Sequence, residues 1–109
     1  MINPMSTRPR AAAAAGRGVF AISVAAEMVR MEVQNLRVYE RRGLLSPDRT
    51  DGGTRLYSPD DIDRLHRIRE LLAEGLNLAG IARVIALEDE VRRLRVRLAA
   101  ASRRDAPGQ

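Results

Sequence analysis

Asn35-Leu36-Arg37-Val38-Tyr39-Glu40-Arg41-Arg42-Gly43-Leu44-Leu45-Ser46-Pro47, with Asp51-Gly52-Gly53-Thr54-Arg55-Leu56-Tyr57 close behind, decides how this chain folds. The apolar spacing predicts a helix from about Glu32 to Arg42, with Val33 and Leu36 facing inward and Tyr39 or Glu40 on the next turn. Gly43 supplies the left-handed backbone that ends it, and Leu44 stands where a Schellman motif would return an apolar contact to Tyr39. Asp51 to Thr54 is a tight-turn signal between two extended pieces, Arg49-Thr50 and Arg55-Leu56-Tyr57. So short a hairpin is not stable alone. Leu56 is therefore expected to pin it to the core, with Arg55 and Tyr57 on the opposite face.

The composition sets the bounds. With 109 residues there is room for one small domain and its tails. Hydrophobic residues make up 45% of the chain but aromatics only 3%, so the core must come from Leu, Ile, Val, Ala and Met at helical spacing. The net charge is +5, and all 19 basic residues are Arg. Arg carries a planar donor fork suited to phosphates and guanine edges, although an excess of Arg and Ala also follows from GC-rich coding.

There is no Cys, and His66 is the single His, so disulfides, thiolate metal sites and iron–sulfur clusters are excluded and no metal or other cofactor is expected. No activated nucleophile or paired-carboxylate site can be assembled, which argues against an enzyme. The longest early apolar run, Ala11 to Ala15, is too short for a membrane or signal segment, so a cytoplasmic location is expected.

Further out, Met1 to Gly18 mixes Pro, Gly, Ala and Arg without an apolar period, and is read as a disordered basic arm. Ser23 is placed to cap a short helix over Val24 to Val29, with Val24, Ala25 and Met28 on one face; Arg30-Met31 makes the turn. Ser58-Pro59-Asp60-Asp61 announces a third helix, with a stripe of Ile62, Leu65, Ile68, Leu71 and Leu72 and a stop at Gly75. Asn77 can cap the next helix, where Leu78, Ile81, Val84 and Ile85 continue the core.

From Val84 the pattern changes. Val84, Leu87, Val91, Leu94, Leu98 and Ala101 alternate spacings of three and four, the seam of a coiled coil about 27 Å long. Two and a half heptads are marginal alone, so the seam points to a homodimer. No Gly or Pro marks where the core helix ends and the seam begins. The expected fold is mainly α: a winged helix-turn-helix head over 19–86, a coiled-coil dimerisation helix over 87–101 and a polar tail over 102–109.

These segments together resemble the mercury-resistance-regulator (MerR) superfamily of bacterial transcription factors, over about Ile22 to Leu98. Leu36 to Leu44 and Asn77 to Ile85 are most similar to its HspR group of heat-shock repressors. The resemblance implies binding to inverted repeats in double-stranded DNA as a homodimer, with an Hsp70-type chaperone as a possible co-regulator. Many members carry a sensing domain beyond the coiled coil. Here eight residues follow from Ser102, so no small-molecule effector is expected, and the tail lacks apolar residues for engaging a chaperone.

In such an arrangement the second helix enters the major groove, with Gln34 and Asn35 reading base edges and Arg37, Tyr39, Arg41 and Arg42 holding phosphates. Arg55 and Tyr57 would seat the wing on the backbone or at the minor groove. Arg41 and Arg42 also suit the negative end of the helix dipole, but Arg37, Arg41, Arg42, Arg49 and Arg55 outnumber Glu40, Asp48 and Asp51 in this segment, which favours phosphate contact. Two rivals use the same parts differently: an excisionase-like architectural DNA-bending protein, which lacks a dimer seam, and a protein-interaction adaptor, in which the coiled coil is the working surface.

Overall fold

The computed structural model describes residues 14–105, in which four helices and one small sheet follow a short helical stretch at 14–16; residues 1–13 of the arm expected over 1–18, and residues 106–109 of the tail, lie outside the described residues. The helices are α1 (Ile22–Val29), α2 (Val33–Arg41), α3 (Pro59–Ala73) and α4 (Leu78–Arg104). Strands β1 (Asp48–Arg49) and β2 (Arg55–Leu56) lie between α2 and α3. The described residues fall into two compact units, divided between Glu70 and Leu71.

In the first unit, α1 and α2 make the helix-turn-helix. Helix α1 starts one residue before Ser23: Ala21 is the N-cap, no side chain caps the helix, and Ser23 is exposed in the first turn. Its buried face is Ala25, Ala26 and Val29, whereas Val24 and Met28 are each 45% exposed. The expected face was thus rotated by about one residue, or 100°. Two adjacent alanines let the helix backbone approach the core closely, which the bulkier Val24 and Met28 would prevent.

The turn between the helices is closed by Arg30 in the left-handed region, at φ 55°. Its N–H donates to Glu27 O at 3.2 Å, and that of Met31 donates to Ala26 O at 2.9 Å, completing a Schellman motif without glycine. Helix α2 ends in the same motif as expected: Gly43 has φ 78°, and Leu44 N–H reaches Tyr39 O at 2.9 Å. Leu36 and Tyr39 are its buried residues, and Val33 is half-buried.

The wing pairs antiparallel, Asp48 with Leu56 and Arg49 with Arg55. β1 lies one residue earlier than the spacing suggested, because Thr50 is spent on the turn. Its N–H donates to Thr54 O at 2.9 Å and its Oγ1 accepts from Thr54 N–H at 3.1 Å. The wing has a third edge with no local signal: Phe20 bridges Tyr57, with Tyr57 N–H donating to Phe20 O at 2.7 Å. Just upstream, Gly18 N–H donates to Asp48 Oδ2 at 2.8 Å. The arm expected to run to Gly18 is therefore fixed at that end, by contacts thirty and more residues away in sequence.

Helix α3 begins at the expected capping box. Ser58 Oγ accepts from Asp61 N–H at 3.0 Å, and Asp61 Oδ2 accepts from Ser58 N–H at 2.9 Å. Ile62, Leu65 and Ile68 are buried within this unit. Arg69 Nη1 donates to Val29 O at 2.5 Å, placing a cation at the negative end of α1.

The second unit holds the last turn of α3 and all of α4. Leu71 is buried but Leu72 is 39% exposed, outside the stripe expected for it. Gly75, at φ 92°, ends α3, and Leu76 N–H returns to Leu71 O at 3.1 Å. Asn77 Oδ1 accepts from Gly80 N–H at 2.8 Å to start α4. This helix runs 27 residues without a break, so core and seam segments are one element, continuous through Ala86 and Leu87. Ile81 and Ile85 are buried, whereas Leu87, Val91, Leu94 and Leu98 are exposed.

Candidate nucleic-acid interface

Burial of Leu36 and Tyr39 fixes the rotation of α2 and hence the residues on its outer face. At 100° per residue, Gln34, Arg37, Val38 and Arg41 form the centre of that face, and Asn35 and Arg42 form one flank. Gln34, Asn35, Arg37, Arg41 and Arg42 are exposed, and Val38 is half-buried among them. Among the described residues, Arg37, Arg41 and Arg42 have no ion-pair partner. The face therefore offers amide donors and acceptors, three cationic heads and one apolar side chain, chemistry suited to a groove lined with base edges and phosphates.

Two residues expected on this surface are not there. Tyr39 is 4% exposed and Tyr57 is fully buried, so both rings belong to the core. Burial raises the pKa of each phenol. The Tyr57 hydroxyl has no hydrogen-bond partner among the described residues. β2 ends at Leu56 and Tyr57 pairs with Phe20, which points the ring inward; Leu56, expected as the pin, is only half-buried.

Arg55 is held by an anion of the protein itself. Its Nε donates to Glu40 Oε1, and Arg49 Nη2 donates to Glu40 Oε2 at 2.7 Å. Burial pushes the Glu40 carboxyl up, but the hydrogen bonds and charges of Arg55 and Arg49 outweigh it and leave the pKa below the usual value. The pKa of Arg55 is raised, first by its bond to Glu40. Sequence reasoning missed Glu40 and Arg49 as a linking pair and Val38 as part of the outer face. The signal available was that Glu40 is the one carboxylate between Val33 and Pro47.

Comparison with known proteins places this geometry. The model of the MerR HTH family of regulatory proteins matches residues 20–88, from the third wing edge into α4. The chain belongs to this family. Heat shock protein HspR of Streptomyces coelicolor is 50% identical to this MerR-family chain over 82 residues, covering 74% of the chain and 54% of that protein. The transcriptional regulator GlnR of Bacillus anthracis is 38% identical over 71 residues, covering 65% and 55%. The chain thus spans about half the length of these relatives.

Among solved structures, PbrR691 of Ralstonia metallidurans CH34, in complex with lead(II), superposes with a TM-score of 0.61 at 31% identity, covering 78% of this chain and 72% of that one. HiNmlR, a family member lacking the sensor domain and bound to promoter DNA, gives 0.55 at 22% identity over 77% and 76%, a likeness of fold alone. This chain has no Cys with which to hold a soft metal, and no three His, Asp or Glu side chains gather among its described residues. No helix among them is long and apolar enough to cross a membrane. The family is one of transcriptional regulators, not enzymes.

Proposed function

We propose that this MerR-family regulator is a homodimeric repressor of heat-shock or stress genes that binds an inverted repeat in bacterial promoter DNA. The observation that carries DNA binding is the unpaired polar face of α2, tied through Glu40 to a basic wing. Gln34 and Asn35 meet base edges, Arg37, Arg41 and Arg42 meet phosphates, and the wing rests on the adjacent backbone through Arg55. Tyr39 and Tyr57 support the two elements from within.

The homodimer is supported by the exposed stripe on α4, where Leu87 is 65% exposed and Leu98 68%. Apolar side chains exposed at heptad spacing stay out of water only against another helix, and a second copy supplies the same stripe. A symmetric pair of heads reads a symmetric operator. The repressor role and heat-shock targets rest on 50% identity to HspR, and co-regulation by an Hsp70-type chaperone completes the proposal.

Selection of binding sites from random DNA by the purified protein tests it. An inverted repeat that also occurs ahead of a chaperone operon is expected, with added Hsp70-type chaperone changing its affinity. Isolated half-sites would contradict the dimer, and no enrichment at all would contradict DNA binding.

A further inference from the structure

We infer that Glu40 is a positioning residue that sets where the wing lies against the reading helix and presents Arg55 outward. The clamp stands on geometry alone; its use at an operator rests on the DNA-binding reading above.

Each strand of the wing has two residues, too few to hold a hairpin in place by pairing alone. Glu40 sits near the C-terminal end of α2, and its side chain is 18% exposed. One carboxylate oxygen takes Arg55 of β2 and the other takes Arg49 of β1. Arg49 extends the hold, because its Nη1 donates to Gly53 O at 3.0 Å in the turn. A single carboxylate on α2 thus reaches both strands directly and the turn through one intermediary. Charge-assisted bonds of this kind are shorter and stronger than neutral ones.

The atoms used matter as much as the pairing. Arg55 gives Glu40 its Nε, while its terminal amino groups make no bond among the described residues and keep their donors for a phosphate. Arg55 also pairs with Arg49 across the ladder, a like-charge neighbour that the shared carboxylate offsets. A long side chain already held in one rotamer loses less entropy on binding than a free one.

Amide exchange in the free full-length protein, followed by footprinting on the selected duplex, tests the role. In Glu40→Ala the Thr50 and Thr54 amides should exchange about tenfold faster, while those of Leu65 and Ile68 in α3 keep their rates, because the opening is local. On saturated DNA, hydroxyl-radical protection at the outer, wing-side phosphates should weaken, while methylation protection of the central bases persists. Glu40→Gln keeps an acceptor but no charge; it should lie between wild type and Glu40→Ala, and it serves for both measurements if Glu40→Ala does not fold. Unchanged wing exchange, or equal acceleration in α3, would overturn the clamp. Loss of outer and central protection in parallel would reduce Glu40 to a general stabiliser. If the wild-type protein protects no DNA, the DNA-binding reading fails, and the exchange rates still decide the clamp.

Discussion

Gly18 lies so close over Leu56 that a β-carbon on it would overlap the Leu56 carbonyl. The contact is with backbone, which cannot swing aside as the end of a side chain can. Gly18→Ala should therefore push the incoming segment off the wing and cost about 1–3 kcal/mol, the range for overpacking at a tight contact. Urea denaturation measures it, and a variant as stable as the parent would show that the segment takes another path.

Acid should undo the link between Glu40 and the wing. The folded state holds the Glu40 proton less tightly than the unfolded chain, so the stabilisation is fully present above the ordinary carboxylate range and disappears as pH falls through the lowered pKa. The difference in urea midpoint between wild type and Glu40→Gln should stay constant from pH 7 to about 5 and narrow below that. A difference that persists unchanged to about pH 3 would mean that the carboxylate charge contributes nothing.

Tyr57 carries a buried hydroxyl without a partner among the described residues, a desolvation cost of about 1–3 kcal/mol. Tyr57→Phe keeps the ring and removes the polar atom, so the thermal midpoint should be equal or higher. A fall of several degrees would reveal a hydrogen bond made by that hydroxyl in solution.

At the operator, Arg37→Ala should weaken binding to all sequences alike and lower the slope of log K against log salt by about one. Gln34→Ala should instead cost about 1–3 kcal/mol at particular base pairs. Val38, central on the same face, is placed to meet a thymine methyl; replacing operator thymines with uracil should weaken wild type more than Val38→Ala. Identical losses in both proteins would remove Val38 from the contact set.

The exposed seam predicts a dimer that one buried charge can break. Val91→Asp, at the middle of the stripe, should give a folded monomer by light scattering and weaken binding to a two-half-site duplex far more than to a single half-site. A dimer unaffected by this change would place the interface elsewhere.

What the sequence revealed follows the range of the interactions. Gly43, Gly75, the Ser58–Asp61 box and the Asn77 cap are decided within five residues, and each stands where its local pattern indicated. The outer face of α2 was legible only in part: Gln34, Asn35, Arg37, Arg41 and Arg42 are exposed as the helical period allowed, but Tyr39 is buried and Val38 stands in its place. Tyr57 was misplaced because its direction depends on Phe20, which arrives from before α1. Arg55 was read as a free cation because its partner lies fifteen residues back on another element. Arg30 takes a left-handed conformation that an L residue adopts only at a cost of about 1–2 kcal/mol, so composition points away from it.

The unbroken course of α4 gives it the properties of a stiff shaft about 40 Å long. With no Gly or Pro between Ile81 and Leu98, nothing along it can absorb a twist. The azimuth of the exposed stripe is therefore locked to that of Ile81 and Ile85, and whatever grips the distal half sets the rotation of the proximal half. A single residue inserted after Ala86 would leave both halves helical, yet turn one by about 100° against the other.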